Sequence, residues 1–214
     1  MEIIILILLV LFAYLTGAIP TSVIVGKYFY GIDIREHGSG NAGATNTIRI
    51  LGTKVGVPVL IFDILKGWLS VKLSVFSVFA VGSESLVNFE LLLGIVAVLG
   101  HIFPVYVHFK GGKGVATIGG VMLAISFFPT LSAVGVFIIV YALFRYVSLG
   151  SMIAGLSFPV FVIFVYKTPF LTMNVVSILV ALLLIITHRK NIKRLLSGEE
   201  SKLNLKKRAT VKTE

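Results

Sequence analysis

Four short polar segments interrupt an otherwise apolar chain, and each carries residue types that bind phosphate. The first is HGSGNAGATNTIR, residues 37–49. Gly38, Gly40 and Gly43 permit backbone geometries that turn successive N–H groups toward one point. Ser39, Thr45 and Asn46 add small donors, and Arg49 offers a planar fork that matches phosphate with two hydrogen bonds. A helix beginning near Ala44 would add its N-terminal N–H groups to the same point. Glycines at this spacing also suit a plain turn, or a close helix contact such as Gly52-x-x-x-Gly56. The Ser, Thr, Asn and Arg set among them favour an anion cradle.

The second segment is HFKGGKGVAT, residues 108–117, where Lys110 and Lys113 flank Gly111 and Gly112. It is not a nucleotide P-loop, because the G-x-x-x-x-G-K-[ST] spacing is missing. Two lysines at a helix end can also simply snorkel to the membrane surface. The third segment, THRKNIKR at 187–194, spaces His188, Asn191 and Arg194 three apart, so a helix would carry them on one face. The fourth, RYVSLGS at 145–151, supplies Ser148 and Ser151. Histidines 37, 101, 108 and 188 lie in different segments without metal-ligand spacing, so no metal is expected.

The elements that must position these segments are membrane helices. Hydrophobic residues make up 57% of the chain and charged ones 13%, more apolar surface than a soluble domain of this size could bury. An all-α integral membrane protein is expected, with spans at about 3–26, 54–81, 86–107, 115–128, 130–144, 152–166 and 171–187. The fourth and fifth are short, and LKGW could break the second into half-helices. Lys27, Arg35, Arg49, Lys54, Lys110, Lys113, Arg145 and nine residues of the tail fall on one side of this layout. Lys167 alone falls on the other, and Lys66 and Lys72 lie within a span. The positive-inside rule then puts Met1 outside and the C-terminus in the cytoplasm. All four polar segments emerge on the cytoplasmic face. The +10 formal charge thus belongs to orientation and headgroup contact rather than to nucleic acid. Residues 1–187 form the expected transmembrane catalytic domain, and 188–214 a basic tail whose first turn joins the site. From Lys202 onward the tail is expected at anionic headgroups.

Together these segments resemble the bacterial acyl-phosphate:glycerol-3-phosphate acyltransferase family. The resemblance is carried by GSGNAGATN with Arg49, by Gly100-His101 leading to FKGGKGVAT, by RYVSLGS and by THRKNIKRL, in order over almost the whole chain. It implies transfer of an acyl group from a long-chain acyl phosphate to the sn-1 hydroxyl of glycerol 3-phosphate. The products would be lysophosphatidate and phosphate, in phospholipid synthesis at the bacterial plasma membrane. Carried over by position, Ser39, Gly40, Asn41, Gly43, Thr45, Asn46 and Arg49 would hold the phosphate of glycerol 3-phosphate. Lys110, Gly111, Gly112 and Lys113 would serve the phosphates of acceptor and donor. His188 and Asn191 would position the glycerol phosphate, with Ser148 and Ser151 close by.

The resemblance also implies substrate-assisted chemistry, in which a phosphate accepts the proton of the attacking hydroxyl. His188, Asn191 and Lys113 are then the candidates for a direct part. No carboxylate offers itself as a base: Asp33 and Glu36 flank the first segment without an evident partner, and Asp63 sits within a span. No cofactor is implied. The expected partners are glycerol 3-phosphate, acyl phosphate and membrane lipids, and a monomer is the working expectation. A transporter of phosphorylated metabolites would instead spread its polar patches toward the midplane or both faces. A membrane scaffold would leave the glycine-rich segments unused.

Overall fold

The computed structural model describes residues 1–204, and no strand occurs among them. Ten α-helices follow one another: α1 Glu2–Ala18, α2 Thr21–Tyr30, α3 Ala44–Leu51, α4 Thr53–Lys72, α5 Glu84–Ile102, α6 Val115–Ile125, α7 Phe127–Phe144, α8 Val147–Val160, α9 Leu171–Thr187 and α10 Arg189–Leu196. Lys206, Lys207, Arg208 and Lys212, part of the tail expected at headgroups, lie outside the described residues.

Each expected span contains a helix, yet their lengths and compositions differ. Glu84–Val107, Phe127–Phe144 and Val147–Val165 are long and apolar enough to cross a membrane. The count becomes five if the bent pairs α1–α2 and α9–α10 each form one span. Helix α6 is apolar but has 11 residues, short of the roughly 20 of a typical span. Helix α4 has 20, but carries Lys54, Asp63, Lys66 and Lys72.

The first span and the LKGW stretch of the second are each settled by packing. The first span, read as continuous over 3–26, bends by 46° between α1 and α2. Pro20 has no N–H to continue the helix and pushes Ile19 out of helical geometry, to ψ 113. The freed Ile19 carbonyl accepts from Lys66 Nζ at 2.8 Å. Conversely, α4 runs unbroken through LKGW. Gly67 is there for contact, since a Cβ would stand 2.2 Å from the Thr117 carbonyl oxygen of α6. Gly120 answers from α6, where a Cβ would stand 1.9 Å from the Ile64 oxygen. Close backbone approach of this kind is how membrane helices gain packing energy without a hydrophobic drive between them.

Helix α1 lies against α5, and α7 against α8. The largest core cluster joins α4, α5, α6, α8 and α9 through Val71, Leu91, Val121, Met122, Phe158 and Met173. Large apolar side chains such as Ile4, Phe62, Leu143 and Ile186 point outward, as lipid contact requires.

Candidate active site

One cavity of about 540 Å³ joins the polar segments to the interior of the helix bundle. Its polar end is lined by Ser39, Asn41, Thr45, Arg49, Lys113, Ser148, Ser151, His188, Asn191 and Glu200. The cavity continues between α4, α6, α7, α8 and α9, along apolar walls that include Leu60, Met122, Val134, Phe158 and Val180. Such a volume suits a small-molecule ligand, and its two ends differ sharply in chemistry.

The first segment is built as a cradle, though not every residue faces the cavity. Gly38 and Gly40 take positive φ, +60° and +71°. A Cβ on Gly38 would meet Asn46 Oδ1 at 2.5 Å, so glycine is required there. Asn46 is buried, and its amide is used up in shaping the loop. Nδ2 donates to the carbonyls of Ile34 (2.8 Å) and His37 (3.0 Å), while Oδ1 accepts from the Ser39 N–H at 2.9 Å. Asn46, itself at the cavity wall, therefore staples the cradle together. Gly40 turns the loop without lining the cavity. Helix α3 begins at Ala44, and Gly43, Ala44 and Thr45 line the cavity where first-turn N–H groups have no intrahelical partners.

The cradle is tied to the second segment by Arg35. Its guanidinium donates to both carboxylate oxygens of Asp33, at 2.9 and 2.6 Å, and reaches the carbonyls of Val107 (3.2 Å) and Lys110 (3.3 Å). Asp33 is thus partnered after all, by Arg35 and by Lys27 at 3.2 Å. The Arg35 hydrogen bonds, against a smaller opposing effect of burial, hold its carboxyl well below the usual range.

The two lysines of the second segment part company. Lys113 lines the cavity, whereas the Lys110 side chain is exposed and outside it. Gly111 and Gly112 also lie off the main cavity, because their lack of a side chain serves packing against the end of α5. A Cβ on Gly111 would meet the His101 oxygen at 2.0 Å, and one on Gly112 would meet His101 Nε2 at 2.2 Å. Behind them sits a buried polar network. Asp63 Oδ1 accepts from Lys66 Nζ (2.7 Å) and Thr21 Oγ1 (3.1 Å), and Thr117 Oγ1 lies 3.1 Å from His101 Nδ1.

His188, Asn191 and Arg194 do share one face, at the 58° bend between α9 and α10. His188 is buried, and its Nδ1–H donates to the Leu184 carbonyl at 2.8 Å. That bond leaves Nε2 as an acceptor. Burial, seconded by the Lys113 charge, lowers the His188 pKa to about 4, so the ring is neutral at pH 7. Asn191 Oδ1 accepts a hydrogen bond from Lys113 Nζ. Burial pushes the Lys113 ammonium down to about 8, with Glu200 opposing and Arg194 and Arg49 adding to the push. Arg49 is lowered by burial too, with Glu200 again opposing.

Glu200 is the residue that the sequence reading missed. Its carboxylate accepts from Ser148 Oγ (2.6 Å), Asn191 Nδ2 (2.7 Å) and Arg194 Nε (2.8 Å). The tail segment carrying it folds back over the site. Arg49 Nη2 donates to the Ser201 carbonyl at 2.9 Å, and the Leu203 N–H to the Arg145 carbonyl at 3.0 Å. Lys202 lies over the Tyr146 ring at 5.5 Å, so the start of the tail lies across the site. The available signal was Gly198 followed by Glu199 and Glu200, an acidic pair inside a basic tail.

Comparison with known proteins agrees with this geometry. The profile of the glycerol-3-phosphate acyltransferase family matches residues 7–198. The chain is 47% identical to the glycerol-3-phosphate acyltransferase of Geobacillus kaustophilus, over 92% of this chain and 95% of that one. It is 45% identical to that of Bacillus subtilis, over 92% and 96%. A crystal structure of PlsY, an integral membrane glycerol 3-phosphate acyltransferase in its glycerol 3-phosphate form, superposes with a TM-score of 0.82 at 41% identity, covering 93% of this chain and 96% of that one. The lysophosphatidic acid form gives 0.79 at 40% identity, covering 94% and 96%. A polar cradle opening into an apolar chamber, and similarity along nearly the full length, lead to one conclusion: the chain belongs to the integral membrane glycerol-3-phosphate acyltransferases.

Proposed function

We propose that this enzyme uses acyl phosphate as donor, acylating the sn-1 hydroxyl of glycerol 3-phosphate to give lysophosphatidate and phosphate. The observation that carries this reading is the continuity of one cavity from Arg49 and Lys113 at its polar end to Phe158 and Val180 among the helices. Such a shape suits a donor with a charged head and a long acyl chain. The related crystal structures, one in a glycerol 3-phosphate form and one in a lysophosphatidic acid form, correspond to the acceptor and the product of this reaction.

In this reading Ser39, Thr45, Arg49 and the first-turn N–H groups of α3 receive the acceptor phosphate, because a helix N-terminus and a guanidinium both favour it. Lys113 stands over the donor phosphate and the charge that develops as it leaves. His188, through Nε2, accepts from a glycerol hydroxyl rather than binding phosphate. Asn191 and Ser148 complete the wall.

The acceptor oxygen attacks the acyl carbonyl carbon, and the carbon–oxygen bond to phosphate breaks. The hydroxyl proton passes to a phosphate oxygen of the departing group. A mixed anhydride is already activated, so alignment and charge stabilisation supply the catalysis. Neither Glu200 nor His188 has to take the proton: Glu200 is held by three donors, and His188 is too weak a base. The positive-inside distribution supports seven crossings, an external N-terminus and a site at the cytoplasmic face.

Purified protein in lipid, supplied with palmitoyl phosphate and labelled glycerol 3-phosphate, is expected to form labelled lysophosphatidate. Folded protein that forms none would overturn the proposal.

A further inference from the structure

We propose that Glu200, acting through Asn191, aims the Lys113 ammonium and is a positioning residue for acyl transfer in this site. The inference rests on the acyltransferase function above and concerns a carboxylate with no other assigned part.

An asparagine amide has nearly the same shape in both flipped orientations, so its partners decide which end points where. A carboxylate only accepts and an ammonium only donates. Glu200 Oε1, 2.7 Å from Asn191 Nδ2, therefore fixes the donor end of that amide on itself. The acceptor end, Oδ1, is left for Lys113 Nζ, which donates to it. Carboxylate, amide and ammonium form a chain with a single sense of polarity. Loss of the carboxylate frees the amide to flip and present N–H groups to a cation.

Glu200 is itself rigidly held. Its side chain is 3% exposed, and Arg194 Nε anchors the second oxygen at 2.8 Å. Its N–H donates to the Arg194 carbonyl at 3.0 Å, which caps the end of α10. Ser201, one residue on, takes the Arg49 hydrogen bond at 2.9 Å. The tail thus touches α3, the α7–α8 turn and α10 at once, and delivers one negative charge among several cations. Facing Lys113 are Glu200, Arg194 and Arg49, together with the neutral His188. Glu200 is the one that favours the charged ammonium; the two arginines oppose it. Burial raises the Glu200 pKa, but the hydrogen bonds from Ser148, Asn191 and Arg194 outweigh it and leave the group ionised. A carboxylate so stabilised is a poor base, which favours an orienting part over proton transfer.

The full-length enzyme in lipid is compared with Glu200→Gln and Glu200→Asp, each checked for melting temperature. Glu200→Gln is expected to lower kcat about tenfold or more, the scale of a lost charge-assisted hydrogen bond, with a smaller change in the acceptor KM. Its alkaline activity limb is expected to move to lower pH, because Lys113 loses the carboxylate that favours its proton. Glu200→Asp keeps the charge and is expected to recover most of that limb position. In an Asn191→Ala background, Glu200→Gln is expected to cost little more. An active wild type whose Glu200→Gln form keeps its kcat and its limb overturns the proposal. So does equal behaviour of the Gln and Asp variants, or full additivity with Asn191→Ala. A wild type that turns over no acyl phosphate sinks the donor assignment instead.

Discussion

Arg49 Nη2 and the Ser201 carbonyl oxygen, 152 residues apart in the chain, meet at 2.9 Å beside the polar end of the cavity. One guanidinium N–H thus holds the returning tail against the cradle. The tail is part of the cavity wall, and Arg49 is its latch as well as the proposed ligand of the acceptor phosphate.

Arg49→Lys preserves the charge but not the fork, so it separates the two parts. Arg49→Ala is expected to raise the KM for glycerol 3-phosphate by about tenfold or more, with a much smaller effect on the donor KM. Arg49→Lys is expected to fall between the two, since an ammonium binds phosphate as a point charge. Steady-state kinetics with each substrate varied in turn provides the check. Equal changes in both KM values contradict the acceptor assignment.

The pH dependence follows from two buried bases. The Lys113 ammonium, lowered to about 8 by burial, gives up its proton as pH rises through that value. Activity that needs its charge is therefore expected to be present below about 8 and to fall above it. His188, lowered to about 4, stays neutral until the medium is strongly acidic and becomes charged only as pH falls toward that value. The profile of kcat, corrected for spontaneous acyl phosphate hydrolysis, should show an alkaline limb near 8 and no limb near 6.5. A limb near 6.5 removes the neutral-histidine assignment.

Inside the bundle, Asp63 and Lys66 are each other's counter-charge at 2.7 Å. Asp63→Asn removes the counter-charge of the Lys66 ammonium, which keeps the Ile19 carbonyl as an acceptor, and is expected to destabilise by about 3–5 kcal/mol. Asp63→Asn with Lys66→Met removes both charges and should regain at least half of that loss. Thermal unfolding in detergent measures both. A double variant no better than the single one shows that the pair contributes through something other than charge balance.

Orientation can be read directly because the chain has no cysteine. Single variants Lys167→Cys and Lys110→Cys should behave oppositely toward a membrane-impermeant maleimide on intact cells. Lys167→Cys is expected to label from outside, and Lys110→Cys only after permeabilisation. The reverse pattern inverts the assignment of the cytoplasmic face.

Several of these residues were legible in the sequence because their chemistry is local. Arg49, Lys113, His188 and Asn191 stand in polar segments that hydrocarbon would not tolerate, and all four line the cavity. Helix α3 begins at Ala44, where the run of glycines ends. What was not legible depends on contacts between distant segments. Gly111 and Gly112 suggested approach to a phosphate, and the fold adds a demand of its own, since a Cβ on either would meet His101 of α5. Lys110 looked equivalent to Lys113 until the loop turned it outward. The bend at Pro20 was signalled by the Ile-Pro pair, but the apolar run concealed it. Glu200 was hidden by its surroundings, since charge counting treats a basic tail as one block. Its importance comes from Ser148, Asn191 and Arg194, which only the fold brings to it.

Donor identity is the most direct test of the proposed reaction. One preparation in lipid should be given long-chain acyl phosphate or the corresponding acyl thioester, each with labelled glycerol 3-phosphate, while lysophosphatidate and inorganic phosphate are measured together. The predicted result is rapid turnover of acyl phosphate, one phosphate released per lysophosphatidate formed, and negligible product from the thioester. Product from the thioester at a comparable rate, or lysophosphatidate formed without matching phosphate release, contradicts it.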